Sequence, residues 1–443
     1  MQVGLSTKNA PSIWVVVPHF LIGTVSFLAA SVFVVFNYQD LLGYHISGSV
    51  LSIVHLMILG WVSMIIFGAL YQLIPVVMQV KLYSEKLAII TLGSLVVGLF
   101  FLIAAFLGYK FQLTNNFIVG GSLVIFAITL FAFNTFKSAL SSNEKSISKF
   151  YIMASGIYLL LTVLLGLFTV INLSYNLLPV AHTEFMKTHA VIGLVGWFLM
   201  LVIGVAAKLM PMFLIVHRTR EVLLKWGFYL INAGLMIVLA ATFIKQVPEF
   251  VDVISFILIL TGLVLFLLFN YDVFSHRMRR KLDIGMKLSA IGLIMFALTT
   301  LSFIGTYFGN SVFGFPVGRI EIISGLLLIY GFFTGLILGQ TYKTLPFIIW
   351  LFYYQKLVGK QKVPLVADLY SDKLATVHMY SFVISLVLFL MGLVYPIEIV
   401  IRVNGLETWI NIALLLASVA MLFTSLIYGI NVYKMIFHKK IIK

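Results

Sequence analysis

This chain holds nine histidines and no cysteine. Disulfides, iron–sulfur clusters, thiolate-ligated haem and covalently attached c-type haem are therefore excluded, and metal chemistry falls to imidazole. Two histidines head long apolar runs: His55 opens HLMILGWVSMIIFGALYQLIP and His189 opens HAVIGLVGWFLMLVIGVAAKLMP. A histidine inside a membrane costs free energy and is a functional candidate by default, and neutral imidazole is the common ligand of haem iron and copper. His182, in VAHTEFMKTH just ahead of the second run, is a third candidate metal ligand. Trp61 and Trp197, six and eight residues after His55 and His189, are grouped with them as candidate cofactor-binding residues. The bland alternative is a histidine bonded locally or near the headgroups. It weighs most for His45 in a loop, for His19 and His378 at the other ends of their runs, and for His217, His276 and His438 beside basic residues.

The elements that carry these residues repeat. A third, fainter stretch, GFFTGLILGQTYKTLP, shares a frame with the two runs. Gly60-Trp61, Gly196-Trp197 and Gly331-Phe332 align, followed by Gly68, Gly204 and Gly339, then Gln72, Lys208 and Lys343, then Pro75, Pro211 and Pro346. At about 100° per residue, spacings of seven and eleven return to nearly one helix face. The copies lie 136 and 135 residues apart, the mark of a threefold internal repeat. The copies are unequal. The two histidines differ in offset from their tryptophans by about 200° around a helix, and the third copy has Leu326 and Ser324 at the two offsets.

Composition says where such helices live. The chain is 62% hydrophobic and 10% charged, with mean hydropathy +1.13, whereas soluble domains carry roughly 25% charged residues. Apolar runs of about 20 residues read as membrane spans. Twelve are predicted, near 12–37, 48–77, 87–109, 116–137, 150–173, 186–216, 224–244, 249–273, 285–308, 320–350, 375–398 and 408–433. No cleavable signal peptide is evident. With the N-terminus inside, 24 of the 29 Lys and Arg fall on the inner side, a strong positive-inside bias that places both termini in the cytoplasm. It also explains a net charge of +15 by proximity to anionic headgroups of the lipid bilayer, without nucleic acid. The expected fold is thus an all-α polytopic membrane protein, a single domain over 1–443. Its twelve transmembrane helices form three parallel four-helix repeats, near 1–145, 146–282 and 283–443, pseudo-threefold about the membrane normal. Stripe glycines would let helices approach, the prolines would bend or end them, and Lys208 and Lys343 would snorkel to the inner headgroups.

Twelve helices in three parallel units, with a histidine in the outer part of the second span, resemble subunit I of the haem–copper oxidases and the related nitric oxide reductases. The stretches HLMILGWVSMIIFGALYQLIPV and THAVIGLVGWFLMLVIGVAAKLMPMFL are more similar still to shorter relatives, the NnrS-type and subunit-I-like bacterial membrane proteins. The resemblance implies that His55 stands where the family's second helix supplies an axial ligand of a low-spin haem. It also implies that His189 lies in the helix that supplies the first copper ligand. The family's paired histidines of helix seven and the two of helix ten have no counterpart in WGFYLINAGLMIVLAATFI or RIEIISGLLLIYGFFTGLILGQ. The full haem–haem–copper centre, and with it complete terminal oxidase activity, is not expected.

Two classes of function follow. One is a membrane protein of the bacterial cytoplasmic membrane with one haem b on His55, His189 helping to hold haem or copper, working on nitric oxide or oxygen with a quinol or cytochrome as electron donor. The other keeps the scaffold without metal, as a transporter, a lipid- or quinone-binding protein, or an accessory subunit beside other respiratory subunits. The sparse intramembrane carboxylates argue against ion-coupled transport. Phosphate loops, HExxH and a Ser-His-Asp arrangement are absent. Because the chain has no cysteine, topology is directly testable: Asn176→Cys should react with a membrane-impermeant maleimide in intact cells, and Asn143→Cys only after permeabilisation. The reverse pattern would invert the orientation.

Overall fold

A computed structural model describes residues 9–43, 46–108, 114–177, 182–244, 246–312, 317–394 and 405–438. His45 and several of the basic residues counted for topology (Lys8, Lys110, Lys245, Arg402 and those after His438) lie outside them. The described residues form helices and turns with no strand. Twelve helices are long and apolar enough to cross a membrane, and the chain is an integral membrane protein by that architecture. In hydrocarbon no water meets a bare backbone N–H or C=O, so an apolar chain of this kind folds as helices.

The spans are α1 Ile13–Leu42, α2 Gly48–Pro75, α3 Glu85–Leu107, α4 Asn115–Leu140, α5 Ile147–Tyr175 and α6 His182–Leu214. They continue with α7 Glu221–Ala241, α8 Glu249–Ser275, α9 Ile284–Gly305, α10 Ile320–Tyr353, α11 Asp372–Leu393 and α12 Leu406–Ile436. Hydroxyl caps set many of the starts. Ser47, Ser84, Thr114, Ser146 and Ser371 each accept a hydrogen bond from a backbone N–H in the first turn of α2, α3, α4, α5 and α11, satisfying one of the donors that a helix N-terminus leaves over.

Two boundaries differ from the sequence reading in ways that matter. Helix runs from His182 onward in α6, so this histidine is part of the helix rather than of the approach to it. The three stripe prolines end nothing. Helix continues past Pro75 to Met78, past Pro211 to Leu214 and past Pro346 to Tyr353. The interruption lies further out, where the sequence shows only apolar residues. Leu56–Ser63 in α2, Ile192–Leu199 in α6 and Leu326–Thr334 in α10 are π-helical, and each segment ends twelve residues before its proline. These three helices are also the most enclosed, 61%, 67% and 78% buried over their most apolar windows, against at most 44% for any other span.

By packing, the chain divides into two compact units: Leu70–Lys281 with Met1–Ser12, and Ile13–Ala69 with Leu282–Lys443. In the first, α3 with α4 and α7 with α8 form antiparallel hairpins, and α5 packs along α6. In the second, α11 and α12 form the hairpin, α9 packs along α10, and α1 lies along α12. The same glycine of the stripe seats a neighbouring helix in each copy. A methyl on Gly68 would fall 2.7 Å from the His19 Cβ, one on Gly204 2.7 Å from the Tyr151 Cβ, and one on Gly339 2.5 Å from the Gly285 carbonyl oxygen and 2.9 Å from the Ser289 nitrogen. Close approach is what holds helices together where water gives no drive, so small residues belong at such crossings. Lys343 is otherwise occupied than expected: its ammonium pairs with Asp283, just ahead of α9, rather than reaching for headgroups.

The crossings yield a comparison within one protein. Gly339→Ala should cost about 1–3 kcal/mol, because the obstructing atoms are backbone and cannot swing away. Gly93→Ala, where a methyl meets nothing within 4 Å, should be neutral or stabilise by up to about 1 kcal/mol through helix propensity. Thermal denaturation in detergent reads both; equal behaviour of the two variants would show that the crossing is not tight.

Candidate functional site

His55 is the last α-helical residue before the π-helical segment of α2, and is half-buried. Its Nδ1 lies 2.8 Å from the Leu51 carbonyl oxygen. A carbonyl only accepts, so Nδ1 carries the hydrogen, and in the neutral ring the lone pair sits on Nε2. That is the tautomer that ligating histidines use, the second nitrogen being held by a backbone carbonyl. The same bond to the carbonyl four residues back occurs at buried His19 (2.8 Å, to Val15) and at exposed His276 (2.9 Å, to Asp272). It therefore orients His55 without singling it out.

His189 reaches the same tautomer across helices. Its Nδ1 lies 2.9 Å from the Thr162 carbonyl of α5, and its ring rests on Gly166, where a methyl would come within 2.9 Å of Cε1. Thr188 beside it bonds to Thr242, the residue that follows α7, at 2.6 Å. His182 is oriented the other way: the amide nitrogen of Asn172 donates to its Nδ1 at 3.2 Å, which puts the hydrogen on Nε2 and makes that nitrogen a donor. His182 and His189 share a face of α6 but stand about 10 Å apart along it by helix rise. No group of three or more His, Asp and Glu among the described residues is placed to hold one metal ion.

The two tryptophans are enclosed by packing. Trp61 is fully buried, with Phe27 stacked on it at 4.7 Å between ring centroids and Tyr428 edge-on at 5.0 Å. Its indole N–H donates to Thr334 Oγ1 at 3.2 Å, and that hydroxyl in turn donates to the Ile329 carbonyl, five residues back, at 3.0 Å. Thr334 thus stands at the end of one π-helical segment and bonds the aromatic of another. Trp197, also buried, meets Phe131 edge-on at 5.9 Å.

The chain matches no family model and no curated protein.

One constellation went unnoticed in the sequence. His378 of α11 is fully buried, with Nδ1 3.0 Å from the Tyr342 hydroxyl of α10. Asn431 of α12 donates to that hydroxyl at 3.0 Å, and its own carbonyl accepts from the Ser371 N–H at 3.3 Å. Beyond them Tyr428 meets Thr341 (3.1 Å), Thr424 donates to Ser381 (2.9 Å), and Tyr330 donates to Ser385 (3.1 Å). Three spans thereby line a polar interior within one compact unit. Whichever group donates between the Tyr342 hydroxyl and Nδ1, the His378 Nε2 is buried without a hydrogen-bond partner among the described residues. A signal existed: His378, Ser381 and Ser385, and likewise Thr424, Tyr428 and Asn431, recur at helical spacing inside apolar runs.

The Trp61–Thr334 bond is the piece of this region with the cleanest measurable energy. In a double-mutant cycle of Trp61→Phe and Thr334→Val, the coupling should be about 0.5–1.5 kcal/mol, the net worth of a buried neutral hydrogen bond. Strict additivity would show that the bond does not form.

Proposed function

We propose that the chain is a membrane haem protein on a scaffold like subunit I of the haem–copper oxidases, concerned with electron transfer or with nitric oxide or oxygen. The observation that carries this is His55: a half-buried imidazole held by Leu51 in the Nε2 lone-pair tautomer, at the entry of a π-helical segment. Such segments occur often at functional sites. Support for the scaffold comes from the recurrence, in α2, α6 and α10, of a π-helical segment twelve residues ahead of a proline and of a glycine seating the neighbouring helix. On this reading the three stretches are copies at one depth, the repeats run near 1–145, 146–282 and 283–443 about a pseudo-threefold axis, and both termini are cytoplasmic. The bacterial cytoplasmic membrane is the compartment.

Among the described residues, His55 is the one that fits an axial ligand of the family's pattern. A haem b held there supplies one-electron chemistry and an iron position for a diatomic gas. What the chain itself contributes is orientation through the Leu51 carbonyl. His189 has the tautomer for a ligand, but no group of three or more His, Asp and Glu among the described residues is placed to hold one metal ion, and His182 presents a donor. The described residues therefore do not assemble a copper site on the family's pattern. The metal-free alternative draws on a different observation: Trp61 and Trp197 spend their faces and edges on protein packing.

Protein purified from haem-replete cells should show a Soret band that His55→Ala abolishes and His378→Asn leaves in place. A colourless wild type would leave the scaffold without its haem and favour the metal-free reading.

A further inference from the structure

Seven arginines occur in the chain, and five of them, Arg218, Arg220, Arg277, Arg279 and Arg280, fall in two connections, α6–α7 and α8–α9. The other connections on the same side of the spans use lysine: Lys81 and Lys86, then Lys137, Lys145 and Lys149, then Lys356, Lys360 and Lys362. A positive-inside bias is met equally well by either residue, so it does not explain this sorting. Guanidinium differs from ammonium in presenting a rigid fork of donors that matches the oxygens of a phosphate.

The fold joins the two connections. Both belong to the same compact unit, and the backbone N–H of Arg279 donates to the Leu214 carbonyl at the end of α6 at 3.3 Å. Asp272, near the end of α8 and largely buried, holds the Arg220 Nε at 3.2 Å and the His276 Nδ1 at 3.4 Å. A largely buried carboxylate thus fixes one guanidinium where the two connections meet. The Arg277 Nη1 donates to the Phe274 carbonyl, while its Nε is buried without a hydrogen-bond partner among the described residues. The same ends of the α7–α8 hairpin carry exposed aromatic side chains: Trp226 (62% exposed) and Tyr229 (65%) toward the start of α7, and Tyr271 (75%) near the end of α8. Tryptophan and tyrosine in that setting sit at the level of lipid headgroups.

We propose that the inner ends of α6, α7 and α8 form a binding site for the phosphate of an anionic phospholipid, with the arginines on the headgroup and Trp226 and Tyr271 beside the upper acyl chains. A soluble phosphate would use the guanidinium groups equally well, but it has no use for the exposed aromatic rim. The site is independent of the haem reading and stands or falls without it.

The test uses delipidated full-length protein in neutral detergent, with retained lipid counted by native mass spectrometry. Phosphatidylglycerol and phosphatidylcholine are the probes. Wild type should bind phosphatidylglycerol saturably and in preference to phosphatidylcholine. Arg218→Gln/Arg279→Gln/Arg280→Gln should weaken it by about tenfold or more. Lys137→Gln/Lys145→Gln/Lys149→Gln, which removes the same charge elsewhere, should leave it unchanged. Arg218→Lys/Arg279→Lys/Arg280→Lys keeps the charge and should recover only part of the affinity; full recovery would overturn guanidinium recognition. Equal loss in the lysine triple would reduce the effect to general electrostatics and overturn the site. Competition by millimolar inorganic phosphate or glycerol 3-phosphate as effective as the lipid itself would overturn the lipid assignment. Unfolding temperatures within a few degrees of wild type in each variant exclude misfolding as the cause, and Arg218, Arg279 and Arg280 are exposed; should the arginine triple misfold, Arg218→Gln and Arg280→Gln taken singly should each show a smaller loss, and no loss in either would count against the site.

Discussion

Helices in lipid gain nothing from hiding apolar surface from one another, since the surroundings are as apolar as they are. What remains is how closely two backbones can come, and this fold depends on that closeness at three points. Gly68 receives the helix carrying His19, Gly204 the helix carrying Tyr151, and Gly339 the helix carrying Ser289. At each point the absent side chain sets the distance, and the remaining contacts of α2, α6 and α10 are built outward from it. Seven residues ahead of each of these glycines stands a buried ring, Trp61, Trp197 and Phe332.

The polar groups in the interior follow the same economy by different means. His55 and His19 turn back to their own helix, His189 crosses to α5, and His378 joins a network over α10, α11 and α12. Each imidazole nitrogen that meets a carbonyl acquires its tautomer from that carbonyl. The backbone therefore decides which histidines present a lone pair outward and which present a hydrogen, and His182, held by Asn172 instead, falls on the other side of that division.

Much of this architecture is legible in the residues alone. Hydropathy locates all twelve spans to within a few positions, because the backbone's need for internal hydrogen bonds leaves an apolar run of that length no alternative to a helix. The repeated glycines are legible as crossings for the same reason. The π-helical segments are not, since LMILGWVS, IGLVGWFL and LLLIYGFFT carry no composition that separates them from α-helix. Nor is the start of α6, where HTEFMKTH is polar enough to read as a connection yet folds as helix over the end of α5. The pairing of Lys343 with Asp283 and of His378 with Tyr342 joins positions 60 and 36 residues apart. Periodicity within one helix says which face a residue takes but not what the neighbouring helix brings to it.

A π-helical ring encloses one more residue than an α-helical one. Each of the three segments is thus, in register, an α-helix with a residue to spare, and the parts on either side are rotated against each other by about 100°. Lineages that lost one residue between Leu56 and Ser63 would keep hydropathy, span length and every downstream glycine, yet turn His55 a quarter of the way round its helix. Length variation of a single residue, invisible to a hydropathy profile, is therefore the form in which descent could most cheaply change which neighbours this position faces.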